Sequence, residues 1–97
     1  MHYLEIPSEV LDRADARELL RFWVCDGEDY VALNSDIFGD KEPEVWGSVA
    51  ADVLKHAIIA MCLNDGSRDA QKLQQRMVKA LKKRLAEHGD YSGRLGS

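Results

Sequence analysis

The dipeptide Asp26-Gly27 constrains the fold of this chain more than any other feature. It lies between two β-rich runs, Leu20 to Cys25 and Glu28 to Asn34. A two-residue loop joining strands favours a type I′ turn, which needs positive φ at both loop positions. Asp and Gly are among the few residues that tolerate this. The turn then sets the register: Cys25 opposite Glu28, Val24 opposite Asp29, Trp23 opposite Tyr30 and Phe22 opposite Val31. Side chains alternate along a strand, so Leu20, Phe22, Val24, Val31 and Leu33 share one face, the expected core side. Arg21, Trp23, Cys25, Tyr30 and Ala32 share the other. A slip of one residue would exchange the faces.

After the hairpin, the period of the apolar residues changes from 2 to 3.6. Asp40 can cap a helix, Pro43 suits a first turn, and Glu42 and Glu44 suit the positive end of its dipole. A helix over about 43–63 follows. Its apolar residues surround most of the cylinder, which predicts a central, largely covered helix. Its polar stripe is Ser48, Asp52, Lys55 and His56. Asn64-Asp65-Gly66 ends it, with Gly66 suited to the left-handed conformation. Ser67 then caps a second helix over about 68–88. There Ala70, Leu73, Met77, Ala80, Leu81 and Leu85 make one narrow apolar stripe, so this helix lies at the surface. The short connection predicts an antiparallel pair.

The front of the chain is less decided. Residues 3–6 read as a short strand ended by Pro7. Ala14, Ala16, Glu18, Leu19 and Leu20 favour a helix that Asp12 or Asp15 could cap. Residues 89–97 read as a frayed tail. The expectation is one α+β domain over 1–88, in which a small antiparallel sheet, built on the hairpin at about 20–34, packs against the two long helices. At 97 residues such a domain buries about 65% of its unfolded surface, enough for one core.

Charge is distributed unevenly. Residues 1–42 carry a net charge of −7, residues 43–66 of −2 and residues 67–97 of +5. An acidic front and a basic back attract each other within a monomer or between two copies, and only near contact at physiological salt. The bases Arg68, Lys72, Arg76, Lys79, Lys82, Lys83 and Arg84 on the second helix can neutralise phosphates. The pI of about 5.3 argues against nucleic acid as the partner. A solvated face or pairing with the acidic front is the plainer reading.

Few features point to chemistry. Cys25 and Cys62 lie in no CxxC motif and read as reduced, mostly buried packing residues. His2, His56 and His88 show no paired spacing, so no metal site is expected. No glycine-rich phosphate loop or nucleophile elbow is present, and no cofactor is implied. The first residues lack the basic and apolar regions of a signal peptide, and no apolar run reaches the 18 or so residues of a membrane span. A cytoplasmic chain without a membrane role is the expectation.

Three places remain as candidate ligand or interaction sites. Asp52 and His56 are four apart on one helix, where a carboxylate can orient an imidazole for acid–base work or ligand binding. An ordinary solvated pair is the plainer reading. Trp46-Gly47 opens the same helix, and a glycine there points to a close approach, of packing side chains or of a ligand. Trp23 and Tyr30 share the second hairpin face and form an exposed aromatic patch unless a helix covers them. No catalytic residue is assigned.

The runs ARELLRFWVCDGEDYVALN and EVWGSVAADVLKHA resemble a family of short bacterial proteins described as a domain of unknown function. The likeness covers about residues 3–62. It rests on Arg21-Phe22-Trp23-Val24, on the Asp26-Gly27-Glu28 turn, and on Trp46-Gly47 followed by Asp52 and His56. It implies a small bacterial cytosolic protein and transfers no activity, cofactor or catalytic residue. Function therefore reads first as a non-enzymatic interaction or regulatory module with a protein partner or a homodimer. A small-ligand or weak enzyme site around Asp52 and His56 comes second, and nucleic-acid binding by the basic helix third.

Overall fold

The computed structural model describes residues 4–87 and 95–96. They form two compact units, residues 4–34 with 95–96 and residues 35–87. The first unit starts with a single helical turn, α1 (Ser8–Leu11). Strands β1 (Leu20–Cys25) and β2 (Glu28–Leu33) follow. They pair antiparallel in the register the turn requires, from Cys25 opposite Glu28 to Leu20 opposite Leu33. Asp26 and Gly27 have φ of 52° and 76°, the two positive values of a type I′ turn.

The front departs from expectation. Leu4 to Ile6 are not a strand; Tyr3 lies outside the described residues. The helix expected across Ala14 to Leu20 is absent: Leu20 belongs to β1, and Arg13 grips Asp15 with two hydrogen bonds of 2.9 and 2.7 Å. That local fork fixes a turn where propensity alone favours helix. At the other end, Leu95–Gly96 form β3 and pair parallel with β2, opposite Val31 and Ala32. The sheet order is β1-β2-β3. The remainder of the expected tail lies outside the described residues.

The second unit begins with a 3₁₀ turn, Gly39–Lys41, which feeds α2 (Glu42–Asn64). Pro43 sits in the first turn, where its missing N–H costs nothing. Asp40 does not cap this helix, because it lies inside the 3₁₀ turn. A short link leads to α3 (Ala70–Ala86), antiparallel to α2. Its cap is Asp69 and not Ser67: the Asp69 carboxylate accepts from the backbone N–H groups of Gln71 and Lys72 at 2.9 and 3.2 Å. Ser67 instead donates its hydroxyl to Asp65 at 2.7 Å. Gly66 keeps a negative φ, since α2 ends on an extended Asp65 and needs no left-handed residue.

The helices meet along one stripe. Ile58, 9% exposed, is the one buried residue among those described. Leu54, Ala57, Met61 and Cys62 on α2, and Leu73 and Met77 on α3, are half-buried around it. The cover expected around the rest of α2 is only partial: Val45, Trp46 and Val49 are half-buried, but Val53 is 56%, Ile59 54% and Leu63 81% exposed. One neighbouring helix can occupy only one flank of a cylinder that is apolar on most sides. On the expected core face of the hairpin, Leu20, Val31 and Leu33 are half-buried, whereas Phe22 is 55% and Val24 67% exposed. Cys25, expected to be buried, is exposed, and Cys62 is half-buried; both are free thiols.

Candidate functional site

The helical unit holds its best-organised polar cluster at the start of α2. The Glu42 carboxylate accepts from the backbone N–H groups of Asp36 and Phe38, each at 2.9 Å, and from Trp46 Nε1 at 2.8 Å. Asp36 sits at φ 58°, a conformation that Asp tolerates. The indole N–H of Trp46, more than any other group, holds the Glu42 carboxyl below the usual range; desolvation opposes it, and the backbone N–H groups of Phe38, Asp36 and Ile37 add to the lowering. This cluster buckles the incoming chain onto the first turn of α2 and fixes the Trp46 ring. The glutamate at the helix start reads in sequence only as a dipole partner. The four-residue spacing from Glu42 to Trp46 was the available signal.

The candidate residues are distributed over both units. On the hairpin, Trp23 and Tyr30 are cross-strand partners. Trp23 is half-buried, Tyr30 is 45% exposed, and the Tyr30 hydroxyl donates to Glu28 at 3.1 Å. On α2, Trp46 is half-buried and anchored by Glu42, while Ser48, Asp52 and His56 are exposed. No hydrogen bond or ion pair joins Asp52 to His56 among the described residues. Around Gly47, beyond its chain neighbours and the backbone of its own helix, no heavy atom lies within 4 Å of the place a Cβ would occupy.

The concavities are shallow. One is lined by Leu19, Leu20, Arg21, Leu33 and their neighbours on the hairpin; another by Lys55, Ile58, Ile59, Ala70, Gln71 and Gln74 between α2 and α3. Neither contains Trp23, Tyr30, Trp46, Asp52 or His56. No group of three or more metal-ligating side chains occurs among the described residues. The stretch Gly39–Asn64, 26 residues, is long and apolar enough to cross a membrane by length and composition, contrary to the count of apolar runs in the sequence. That count breaks at Asp52, Lys55 and His56, whereas an average over the helix does not.

A hairpin-led sheet with a long apolar helix and a shorter basic one defines a small α+β class. The chain belongs to the DUF5076 family, a domain of unknown function, whose pattern matches residues 3–88. No curated protein matches it. Among solved structures it is similar to a protein from the photosynthetic bacterium Rhodopseudomonas palustrus CGA009, described as a "putative pyruvate dehydrogenase". The two share 26% identity and superpose with a TM-score of 0.72, over 100% of this chain and 96% of the other.

Proposed function

We propose that the chain is a non-enzymatic interaction module, completed when a protein partner covers its apolar helical and hairpin faces. One observation carries this reading. Phe22 and Val24 on β1, and Val53, Ile59 and Leu63 on α2, are all more than half exposed. Large apolar side chains left exposed in this number, on a hairpin face and on a long helix, favour contact surfaces in each unit. A bilayer suits α2 poorly, because Asp52 and Lys55 near its middle would each cost about 2.5–3.5 kcal/mol at the centre of a span.

The test is native mass spectrometry of the tagged protein isolated from bacterial cells that normally express it, beside a Val53→Asp/Leu63→Asp variant. The wild type is expected to carry a stoichiometric protein, a second copy included, and the variant to emerge alone with its helical circular dichroism intact. A wild type that is a bare monomer at micromolar concentration overturns the reading.

The R. palustrus neighbour motivates a second reading, an enzyme acting on pyruvate with His56 and Asp52 as its acid–base pair. Consumption of pyruvate by the purified chain, supplied with thiamine diphosphate and a nicotinamide acceptor and lost in His56→Ala, would support it. No consumption removes it.

A further inference from the structure

We infer that the outer edge of β2 is a binding site for an extended peptide segment, which the chain's own Leu95–Gly96 fills as an exchangeable strand. This surface is a different one from the apolar faces of the interaction-module reading. The hairpin register defines it. Cys25 and Glu28 close the two-residue turn as a hydrogen-bonded pair, and the backbone groups of β2 then turn alternately toward β1 and away from it. Residues 28, 30 and 32 face β1, and the Asn34 N–H, donated to the Leu19 carbonyl at 2.9 Å, continues that series. Val31 and Leu33 therefore aim their N–H and C=O groups at the outer edge.

β3 meets those groups. It runs parallel to β2, with Leu95 opposite Val31 and Gly96 opposite Ala32. In that register the Gly96 N–H donates to the Val31 carbonyl, and the Gly96 carbonyl accepts from the Leu33 N–H. The resident strand is short: two pairs, against six between β1 and β2. Its bonds are main-chain bonds that any extended segment can reproduce, which makes this edge one that takes an added strand. The register also states what such a segment carries. A residue opposite Val31 shares the face of Leu20, Phe22 and Leu33, which suits an aliphatic side chain. A residue opposite Ala32 shares the face of Trp23 and Tyr30, where the chain itself places glycine. The partner is thus an unstructured protein segment, with an aliphatic residue followed by a small one, running parallel to β2. It takes the place of β3 and needs no further surface. Eight residues separate Ala86 from Leu95 in sequence. A strand on so short a tether competes at an effective concentration of roughly millimolar.

The probe is a synthetic peptide of residues 90–97, titrated into the isotope-labelled full chain and followed by the amide shifts of Val31 and Leu33. In a Gly96→Pro chain the resident strand lacks its central N–H and leaves the edge. That chain is expected to bind the peptide on the order of 10-fold more tightly than the wild type, because the tethered competitor is gone. A peptide that itself carries Gly96→Pro should bind neither chain, since it cannot donate to Val31. Amide protection across β1 and β2 is expected to stay as in the wild type. Equal affinity of the two chains for the peptide overturns the inference, as does a Gly96→Pro chain that binds no peptide at millimolar concentration. Binding of the proline peptide as tight as that of its parent shows an attraction other than strand pairing and overturns it too. So does loss of the hairpin in the Gly96→Pro chain, because a strand on which the sheet depends is not exchangeable.

Discussion

Trp46 Nε1 donates to Glu42 Oε1 at 2.8 Å across one turn of α2, and the same carboxylate draws in the backbone N–H groups of Asp36 and Phe38 at 2.9 Å each. Three donors converge on one anion, at the helix end whose dipole already favours negative charge. The start of α2 is thereby fastened to the segment that leads into it.

That arrangement predicts a pH dependence with a definite sign. The folded Glu42 carboxyl lies below the ordinary value of 4.5, so it stays ionised to lower pH than in the unfolded chain. The stability it contributes is fully present above 4.5 and is lost as pH falls through the depressed folded value. Trp46 emission, followed in a Trp23→Phe background, should therefore shift in acid below 4.5. Glu42→Gln should show the shifted emission already at neutral pH, together with a lower melting temperature. Emission unchanged in the variant would show that the indole is held by something else.

Gly47 gives a prediction of the opposite kind. It lies inside α2, and no heavy atom beyond its chain neighbours and its own helix's backbone lies within 4 Å of its would-be Cβ. Gly47→Ala should then stabilise the chain by about 0.5–1 kcal/mol, the helix-propensity difference, measured by urea unfolding. Destabilisation would reveal a neighbour of this position in the assembled protein.

Gly27 is the contrasting glycine. Its φ of 76° is required by the turn, and open space around it does not relieve the backbone. Gly27→Ala should cost about 1 kcal/mol and weaken the cross-strand pairing of Trp23 with Tyr30. The amide-proton exchange rates of β1 and β2 read this out, and rates equal to the wild type would contradict it.

The hairpin was legible in the sequence because its information is local: two residues with special φ, flanked by β-rich runs, set the register without reference to the rest of the chain. The two long helices were legible for a similar reason, through their period. Burial was not. The apolar residues around α2 indicate that the helix needs cover on several sides, but they do not say which surface supplies it, and α3 covers only the flank holding Leu54, Ile58 and Met61. The Glu42 cluster was hidden because two of its three donors are backbone N–H groups of a loop, which no side-chain pattern reports. The pairing of Leu95–Gly96 with β2 joins residues more than 60 positions apart, beyond the reach of local pattern.

The two candidates for the α3 cap give the most direct comparison of sequence and structure. Ser67 and Asp69 are both residue types favoured at that position, and spacing alone chooses poorly between neighbours two apart. In the structure, Asp69 accepts from the N–H groups of Gln71 and Lys72 at 2.9 and 3.2 Å, whereas the Ser67 hydroxyl is turned to Asp65 at 2.7 Å. Asp69→Ala leaves donors of the first turn without their carboxylate and should cost about 1 kcal/mol, within the range for losing such a cap. Ser67→Ala removes a bond in the loop and should cost less than half as much. Urea midpoints of the two variants, compared at equal m-value, decide it. A larger loss at Ser67 would move the start of α3 back to where the sequence alone placed it.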